Sequence, residues 1–314
     1  MKSYLFLFLK GVGMGAANVI PGVSGGTIAL ITGIFEKLIA SLKAFDLEAI
    51  KLLLKFRIKE LYERVNGTFL IVLFAGIGIS IVSLAKLFKY LMENPTTEVW
   101  LMAFFFGLIV VSIFSVGKTI NNWNTSTFIS LIVGTIIAVA IALLAPANEN
   151  DSFFYLFICG VIAICSMILP GLSGSFVLIL LGNYKLIMLD AVSEFNFKIL
   201  LPVALGAGIG LIAFSQVMGW LFEKFRDATI ALMTGFIAGS LLVIWPWKEK
   251  VFLMDAAGEM ILKKGKPIIS EYVWSIPELD GNTAVAIGLM VVGGVALWLM
   301  ERFANEMGEG EVNI

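Results

Sequence analysis

The chain has 314 residues, of which 59% are hydrophobic and only 14% charged, with a mean hydropathy of +0.97 and a net charge of −1. Soluble domains carry about 25% charged residues, so this composition predicts an all-α polytopic membrane protein and gives no reason to expect a nucleic-acid partner. The absence of histidine excludes imidazole metal sites and Ser-His hydrolysis, and no GxxxxGK[ST] loop for ATP is present. We therefore expect no metal, no cofactor and no enzymatic activity.

The first apolar stretch is interrupted by NVIPGVSGGT, residues 18–27, which we call the first tip. Proline and glycine end helices, so the chain turns here. Only the nine residues Thr27–Phe35 follow before the charged Glu36, and a helix of that length spans about 14 Å, roughly half of a hydrocarbon core. We therefore predict a re-entrant helical hairpin over 4–42. Two arms that each cross the whole membrane are the alternative.

The next elements complete a first repeat. Residues 46–65 place leucine, isoleucine and valine on one helical face and Lys51, Lys55 and Lys59 on another. This pattern predicts an amphipathic helix at the membrane interface, with a linker helix packed on the protein as the alternative. Three apolar stretches then predict transmembrane helices at 68–90, 99–117 and 127–145, and the first repeat spans 1–147.

The second half of the chain repeats the pattern of the first. The segment MILPGLSGSF, residues 167–176, is the second tip, and placing Pro21 on Pro170 also aligns several glycines and serines. Further matches follow in the same order: AGIG at 75–78 with AGIG at 207–210, then AFFFGLIVVS with ALMTGFIAGS. The second repeat, 148–314, then comprises a re-entrant hairpin, two spans, an outer loop with a small β-hairpin, and a last span. Their predicted bounds are 153–190, 199–222, 229–247, 248–280 and 283–300.

Each repeat holds a hairpin and three transmembrane helices, and this odd number of crossings predicts that the two repeats have inverted topology. Inverted repeats are typical of secondary transporters. Seven of the 22 lysine and arginine residues lie between Lys37 and Arg64, which favours a cytoplasmic position for this region and for both termini.

The two tips are the candidate binding site. Irregular backbone within a membrane must be buried in protein or line a polar cavity, and glycine lets amides approach a ligand. The helices that follow the tips direct their positive ends at them, and hydroxyl groups add donors, so the pattern favours phosphate or carboxylate. Lys10 lies inside an apolar arm and adds a charge, with a lysine that reaches the headgroups as the alternative. Glu36 is the candidate for proton coupling, with an interfacial ion pair to Lys37 as the alternative. The candidate phosphate ligands are Lys10, Gly22, Ser24, Gly25, Gly26, Thr27, Gly171, Ser173, Gly174 and Ser175.

These motifs resemble a known family. KGVGMGAANVIPGVSGGTIALITGIFEKL, LPGLSGSFVLILLGNY and GSLLVIWPW are similar to the bacterial polyprenyl-phosphate transporters of the PopT type, formerly a domain of unknown function. The resemblance implies translocation of undecaprenyl phosphate across the bacterial cytoplasmic (inner) membrane, which recycles the carrier lipid for cell-envelope synthesis. The implied partners are undecaprenyl phosphate and membrane lipids. The second tip departs from the first, because Ser175 and Phe176 stand where the first has Gly26 and Thr27.

Two other functions stay open. A channel or secondary transporter for a small soluble anion would use the same helix ends but would need a water-lined path. An intramembrane lipid phosphatase would need catalytic groups that the histidine-free sequence does not offer near the tips. The coupling ion, the direction of transport and the oligomeric state, with a homo-oligomer among the alternatives, are also left open.

Overall fold

The computed structural model describes residues 2–19, 23–144, 147–191, 195–252, 262–263, 266–267, 269–278 and 280–308. The protein is mostly helical, as predicted. Within these ranges five helices are long and apolar enough to cross a membrane, or six if the bent pair α2–α3 counts as one span. The helices are α1 (Lys2–Val19), α2 (Gly25–Ile31), α3 (Phe35–Lys43), α4 (Leu47–Leu54), α5 (Ile58–Arg64), α6 (Gly67–Glu93), α7 (Pro95–Gly117), α8 (Thr125–Ala142), α9 (Phe153–Ile168), α10 (Gly174–Leu180), a π-helical segment π1 (Lys185–Ala191), α11 (Phe197–Ile244) and α12 (Gly281–Gly308).

Local sequence signals set the starts of the helices. Asn94 caps α7 by accepting a hydrogen bond from the Thr96 amide, and Pro95 follows at the first helical position. Asn124 and Thr127 form a reciprocal capping box at the start of α8. The connections from α6 to α7 and from α7 to α8 are therefore short.

The short helices α2 and α10 end in the same way. Each is followed by a glycine with positive φ, +71° at Gly33 and +72° at Gly182, where a side chain would be strained. The amides of Gly33 and Gly182 each donate to a carbonyl three residues earlier. At the first of these turns the chain bends by 114° between α2 and α3.

The region predicted as one amphipathic helix, 46–65, forms two helices. The chain leaves α4 at Phe56, whose φ of +53° interrupts the helix, and α5 begins two residues later. The two helices pack against each other, and α5 also contacts the start of α6. Both parts of the segment are therefore helical, as the spacing of its apolar residues predicts, but the helix is interrupted at Phe56.

The spans pack in four long helix pairs. Helix α1 lies along α6 and α9 lies along α11, while α7 lies along α12 and α8 along α11. Phe225 has non-helical backbone angles inside α11 and divides it into α11a (197–224) and α11b (226–244). The main hydrophobic core joins both halves of the chain and includes Phe35, Ile109 and Ile237.

The loop between α11 and α12 contains strands. Strand β1 (Lys248–Phe252) pairs antiparallel with β4 (Ile269–Trp274), and the shorter β2 (Leu262–Lys263) pairs with β3 (Lys266–Pro267). The small β-hairpin predicted in this loop is thus confirmed.

Candidate functional site

In the described part of the first tip, side chains of the tip itself accept hydrogen bonds from the backbone amides. Ser24 is the N-cap of α2, is 1% exposed, and accepts a hydrogen bond of 3.1 Å from the Gly26 amide. The Gly25 amide donates to the side-chain oxygen of Asn18, at 2.8 Å. The amides at the start of α2 are therefore satisfied within the tip.

The second tip lacks both of these caps. Ser173 occupies the N-cap position of α10 but makes no capping hydrogen bond to the helix backbone, and its hydroxyl instead pairs with that of Ser175 at 2.8 Å. Met167 takes the place of Asn18 in the alignment of the tips, and its side chain lies against Gly174. A thioether cannot hold an amide as a carboxamide oxygen does. The two tips are thus similar in sequence but different in hydrogen bonding.

The two tips contact each other. The Ser24 hydroxyl donates to the Leu169 carbonyl at 3.2 Å, and the Gly171 amide donates to the Thr27 hydroxyl at 3.1 Å. Thr27 is fully buried, and Gly171 has φ +82° and lies against the backbone of Phe236. The structure therefore brings Ser24, Gly26 and Thr27 of the first tip against residues 168–171 of the second tip, which include Gly171. Among the described residues, no hydrogen bond joins Ser173, Gly174 or Ser175, which lie at the start of α10, to the first tip.

The other candidate residues lie elsewhere or outside the description. Gly22 lies outside the described residues. Lys10 lies on α1, half-buried and about two turns before Asn18. Glu36 lies at the start of α3, beyond the Gly33 turn, and is half exposed.

Glu36 belongs to a contact between α3 and α11 that we call the α3 contact. Its carboxylate accepts a hydrogen bond of 3.0 Å from the Arg226 guanidinium, which also donates to the Thr119 carbonyl at 3.2 Å. About two turns further along α3, Lys43 pairs with Glu223. The rings of Phe35 and Phe222 also pack against each other across this contact, with centroids 5.7 Å apart. The contact joins the first hairpin to the second half of the chain.

Sequence reasoning missed Asn18 and Arg226. Asn18 is the one carboxamide in the apolar α1, and this rarity is a signal that could have identified it. Arg226 lies in the charged segment EKFRDA, which the prediction treated only as the break between two spans. Asp227 fixes the neighbouring connection by accepting from the amides of Asn121 and Asn122 at 3.2 and 2.9 Å.

Known proteins share this pattern over almost the whole chain. A family model described as undecaprenyl phosphate translocase-like matches residues 14–261. The chain belongs to this family. It is 42% identical over 308 residues to a polyprenyl-phosphate transporter of Vibrio cholerae, covering 97% of this chain and 98% of that protein. It is 34% identical over 271 residues to a polyprenyl-phosphate transporter of Staphylococcus aureus, covering 76% of this chain and 85% of that protein. No solved structure gives a significant match.

Proposed function

We propose that this family member translocates a polyprenyl phosphate, undecaprenyl phosphate, across the cytoplasmic membrane. The observation that carries the proposal is the contact between the two tips, which gathers hydroxyls and glycine amides inside an otherwise apolar helical protein. The relatives' names point to the same substrate. A phosphate monoester carries about −1.5 to −2 charges at neutral pH, and moving it unaided through hydrocarbon would cost tens of kcal/mol.

The repeats are proposed to have inverted topology, and reciprocal close contacts support this. A Cβ on Gly107 of α7 would overlap the Met290 carbonyl of α12, and a Cβ on Gly235 of α11b would overlap the Leu131 carbonyl of α8. The reverse contacts also correspond. Gly293 of α12 lies against Phe104 of α7, and Gly134 of α8 lies against Leu232 of α11b. The second span of each half thus packs on the third span of the other, as expected of two halves related by a two-fold axis.

The contacts of the first arms agree with the same relationship. Gly11 of α1 lies against the Leu73 carbonyl and Gly76 lies against the Phe8 carbonyl. In the second half Gly160 lies against the Val203 carbonyl and Gly206 against the Phe157 carbonyl. The repeats over 1–147 and 148–314, each with a re-entrant hairpin whose tip lies near the midplane, are therefore part of the proposal.

The phosphate is proposed to bind where the tips meet, with the second tip as the more open part. In the first tip, the Gly25 and Gly26 amides are held by Asn18 and Ser24. In the second, the hydroxyls of Ser173 and Ser175 bond to each other and, among the described residues, to no other group, so they can rotate towards a ligand. Gly22 and Lys10 complete the proposed set, the lysine as a counter-charge supplied from α1.

Alternating access to this site is proposed to involve the α3 contact. The ion pairs Glu36–Arg226 and Lys43–Glu223 tie the first hairpin to α11 at the end where α4 and α5 lie. With both termini in the cytoplasm, this is the cytoplasmic end, and the contact closes that side. Protonation of Glu36 would remove one pair and favour opening, which is how a proton would couple to transport. The prenyl chain is proposed to stay in lipid while the headgroup passes the tips.

The experiment uses the purified protein in liposomes that contain a polyprenyl phosphate in both leaflets. An impermeant phosphatase is added outside, and the release of phosphate from inner-leaflet lipid is followed over time. We expect the protein to make the inner pool accessible, whereas protein-free liposomes keep it protected. Liposomes loaded with inorganic phosphate serve as the second arm. Release of that phosphate with no effect on the lipid would mean that the protein transports a soluble anion instead.

A further inference from the structure

The helices α4 and α5 leave a large apolar surface uncovered outside the transmembrane helices. Only Ala49 and Leu52 of α4 are buried, and no residue of α5 is. The exposed apolar residues of this surface, which we call the α4–α5 face, are Leu47, Ile50, Leu53, Leu54, Phe56, Ile58 and Tyr62. Contiguous exposed apolar surface of this kind marks an interaction site.

Phe56 is the most unusual residue of the α4–α5 face. It occupies the left-handed position after α4, where the Arg57 amide donates to the Leu52 carbonyl and closes the helix end. The corresponding positions after α2 and α10 hold Gly33 and Gly182, which adopt positive φ without strain. At Phe56 the chain instead carries an aromatic ring, and that ring is 87% exposed. The backbone conformation disfavours phenylalanine and the ring is not packed within the protein. The reason for a phenylalanine here therefore lies in what surrounds the protein.

Charge limits what can cover this face. Every acidic residue of α4 and α5 and their cap has a basic partner within the same segment: Glu48 pairs with Lys51, Glu60 with Arg57, Glu63 with Lys59 and Asp46 with Arg64. Lys55 adds one more positive charge directly before Phe56, and no ion pair is found for it among the described residues. The face therefore combines apolar side chains with a single excess cation.

The position of α4 and α5 relative to the transmembrane helices indicates what covers the α4–α5 face. Helix α5 ends at Arg64, and α6, which is apolar enough to cross a membrane from Gly67 onwards, begins three residues later. The α4–α5 face thus lies at the level where α6 enters the hydrocarbon. Amphipathic helices at this level bury their apolar face by about 5–10 Å, and nearby lysines attract anionic headgroups.

We infer that the α4–α5 face binds the surface of the bilayer itself, with Phe56 inserted among the acyl chains and Lys55 on the headgroup phosphate of an anionic phospholipid. The inference is independent of which lipid is transported, because it depends only on where these helices lie. A protein partner or a second copy of the chain would bury Phe56 equally well, but neither would place it in contact with lipid chains.

The first experiment measures where residue 56 lies in the full-length protein. Cys159 and Cys165 are replaced by alanine, and a single cysteine is introduced as Phe56→Cys or, as the matched control, Lys59→Cys, whose parent side chain is 90% exposed. Each carries an environment-sensitive fluorophore in bilayer nanodiscs. We expect brominated acyl chains to quench the label at 56 and aqueous iodide to quench the label at 59. Quenching at 56 by iodide alone, or by neither reagent, would overturn the inference.

The second experiment tests the anionic component. The bromine is placed either on phosphatidylglycerol or on phosphatidylcholine at the same mole fraction, with the other lipid unlabelled. One lysine near the surface should enrich anionic lipid locally about five-fold, so brominated phosphatidylglycerol should quench the label at 56 more strongly. Adding Lys55→Gln should remove this difference and leave the insertion of residue 56 unchanged. Equal quenching by both lipids in the parent protein would contradict the role of Lys55.

Discussion

The Gly171 amide donates a hydrogen bond of 3.1 Å to the Thr27 hydroxyl, 144 residues earlier in the chain. Both groups are buried, and each satisfies the hydrogen-bonding requirement of the other. The relative position of the two tips therefore depends on this bond together with the one that the Ser24 hydroxyl donates to the Leu169 carbonyl.

Thr27→Val should loosen the tips. Valine has nearly the same shape but leaves the Gly171 amide unsatisfied, at a cost of about 1–3 kcal/mol. We expect a lower thermal midpoint in detergent and slower transport of polyprenyl phosphate. The control is Thr32→Val, because the Thr32 hydroxyl donates to the Ile28 and Ala29 carbonyls of its own helix. Equal transport by the two variants would mean that the bond between the tips does not matter for movement of the lipid.

Breaking the pair between Glu36 and Arg226 should change transport more than stability. Both side chains are about half exposed, and such pairs contribute only about 0.2–1 kcal/mol. A shift of that size in a conformational equilibrium alters rates by up to about five-fold. We expect Glu36→Gln and Arg226→Gln each to change the transport rate, and the charge swap Glu36→Arg with Arg226→Glu to restore part of it. The control is Glu60→Gln, which removes an exposed pair with Arg57 at the start of α5. A swap no better than the single variants would rule out a specific pairing.

Glycines at the helix crossings should be sensitive to a single methyl group. Gly107→Ala pushes a Cβ into the Met290 backbone, and overpacking of this kind costs about 1–3 kcal/mol. Gly78→Ala, on the open side of α6, should be neutral or stabilising by up to about 1 kcal/mol, because alanine favours helix. Thermal unfolding in the same detergent measures both. Equal midpoints would contradict the close pairing of α7 with α12.

The start of α4 should weaken in acid. The Arg64 hydrogen bond is the largest cause that lowers the pKa of Asp46 below its ordinary value of 3.8, and bonds from the Ala49 and Glu48 amides add to it. A lowered folded-state pKa contributes stability above pH 3.8, which is lost as the pH falls through the lowered value. Asp46→Asn keeps a capping oxygen but cannot titrate, so its stability should vary less with pH in this range. Identical pH profiles of thermal unfolding for parent and variant would contradict the account.

The sequence predicts the protein class and the two tip segments better than it predicts which residues the tips contact. Paired PGxSG segments are visible because proline and glycine have strong local effects. The contact of Ser24 with Leu169 joins residues 145 positions apart, and no local pattern encodes it. The same is true of Glu36 and Arg226, whose pairing depends on how α3 packs on α11.

The register between the halves shows a second limit. Matching AGIG to AGIG places Gly76 on Gly208, but the contacts of these glycines with α1 and α9 relate Gly76 to Gly206. Glycine occurs at every second position from 206 to 210, so the sequence alone is compatible with both alignments. Only the partner carbonyls, Phe8 for Gly76 and Phe157 for Gly206, distinguish the two alignments.

The central claim is that the phosphate passes at the tips, and the transport rate of the double variant Ser173→Ala with Ser175→Ala tests it most directly. Within the described part of the chain these hydroxyls bond to each other alone, so their joint removal leaves no described partner unsatisfied. Loss of a hydroxyl donor to a charged ligand should cost about 1.5–3 kcal/mol, or roughly 10- to 150-fold in rate. Ser240→Ala, which removes a buried hydroxyl bonded to its own helix, is the control and should transport at close to the parent rate. Slow release of inner-leaflet polyprenyl phosphate by the double variant, with unchanged thermal stability, is the predicted result. Parent-like transport by the double variant would contradict the claim, and the phosphate would have to cross elsewhere.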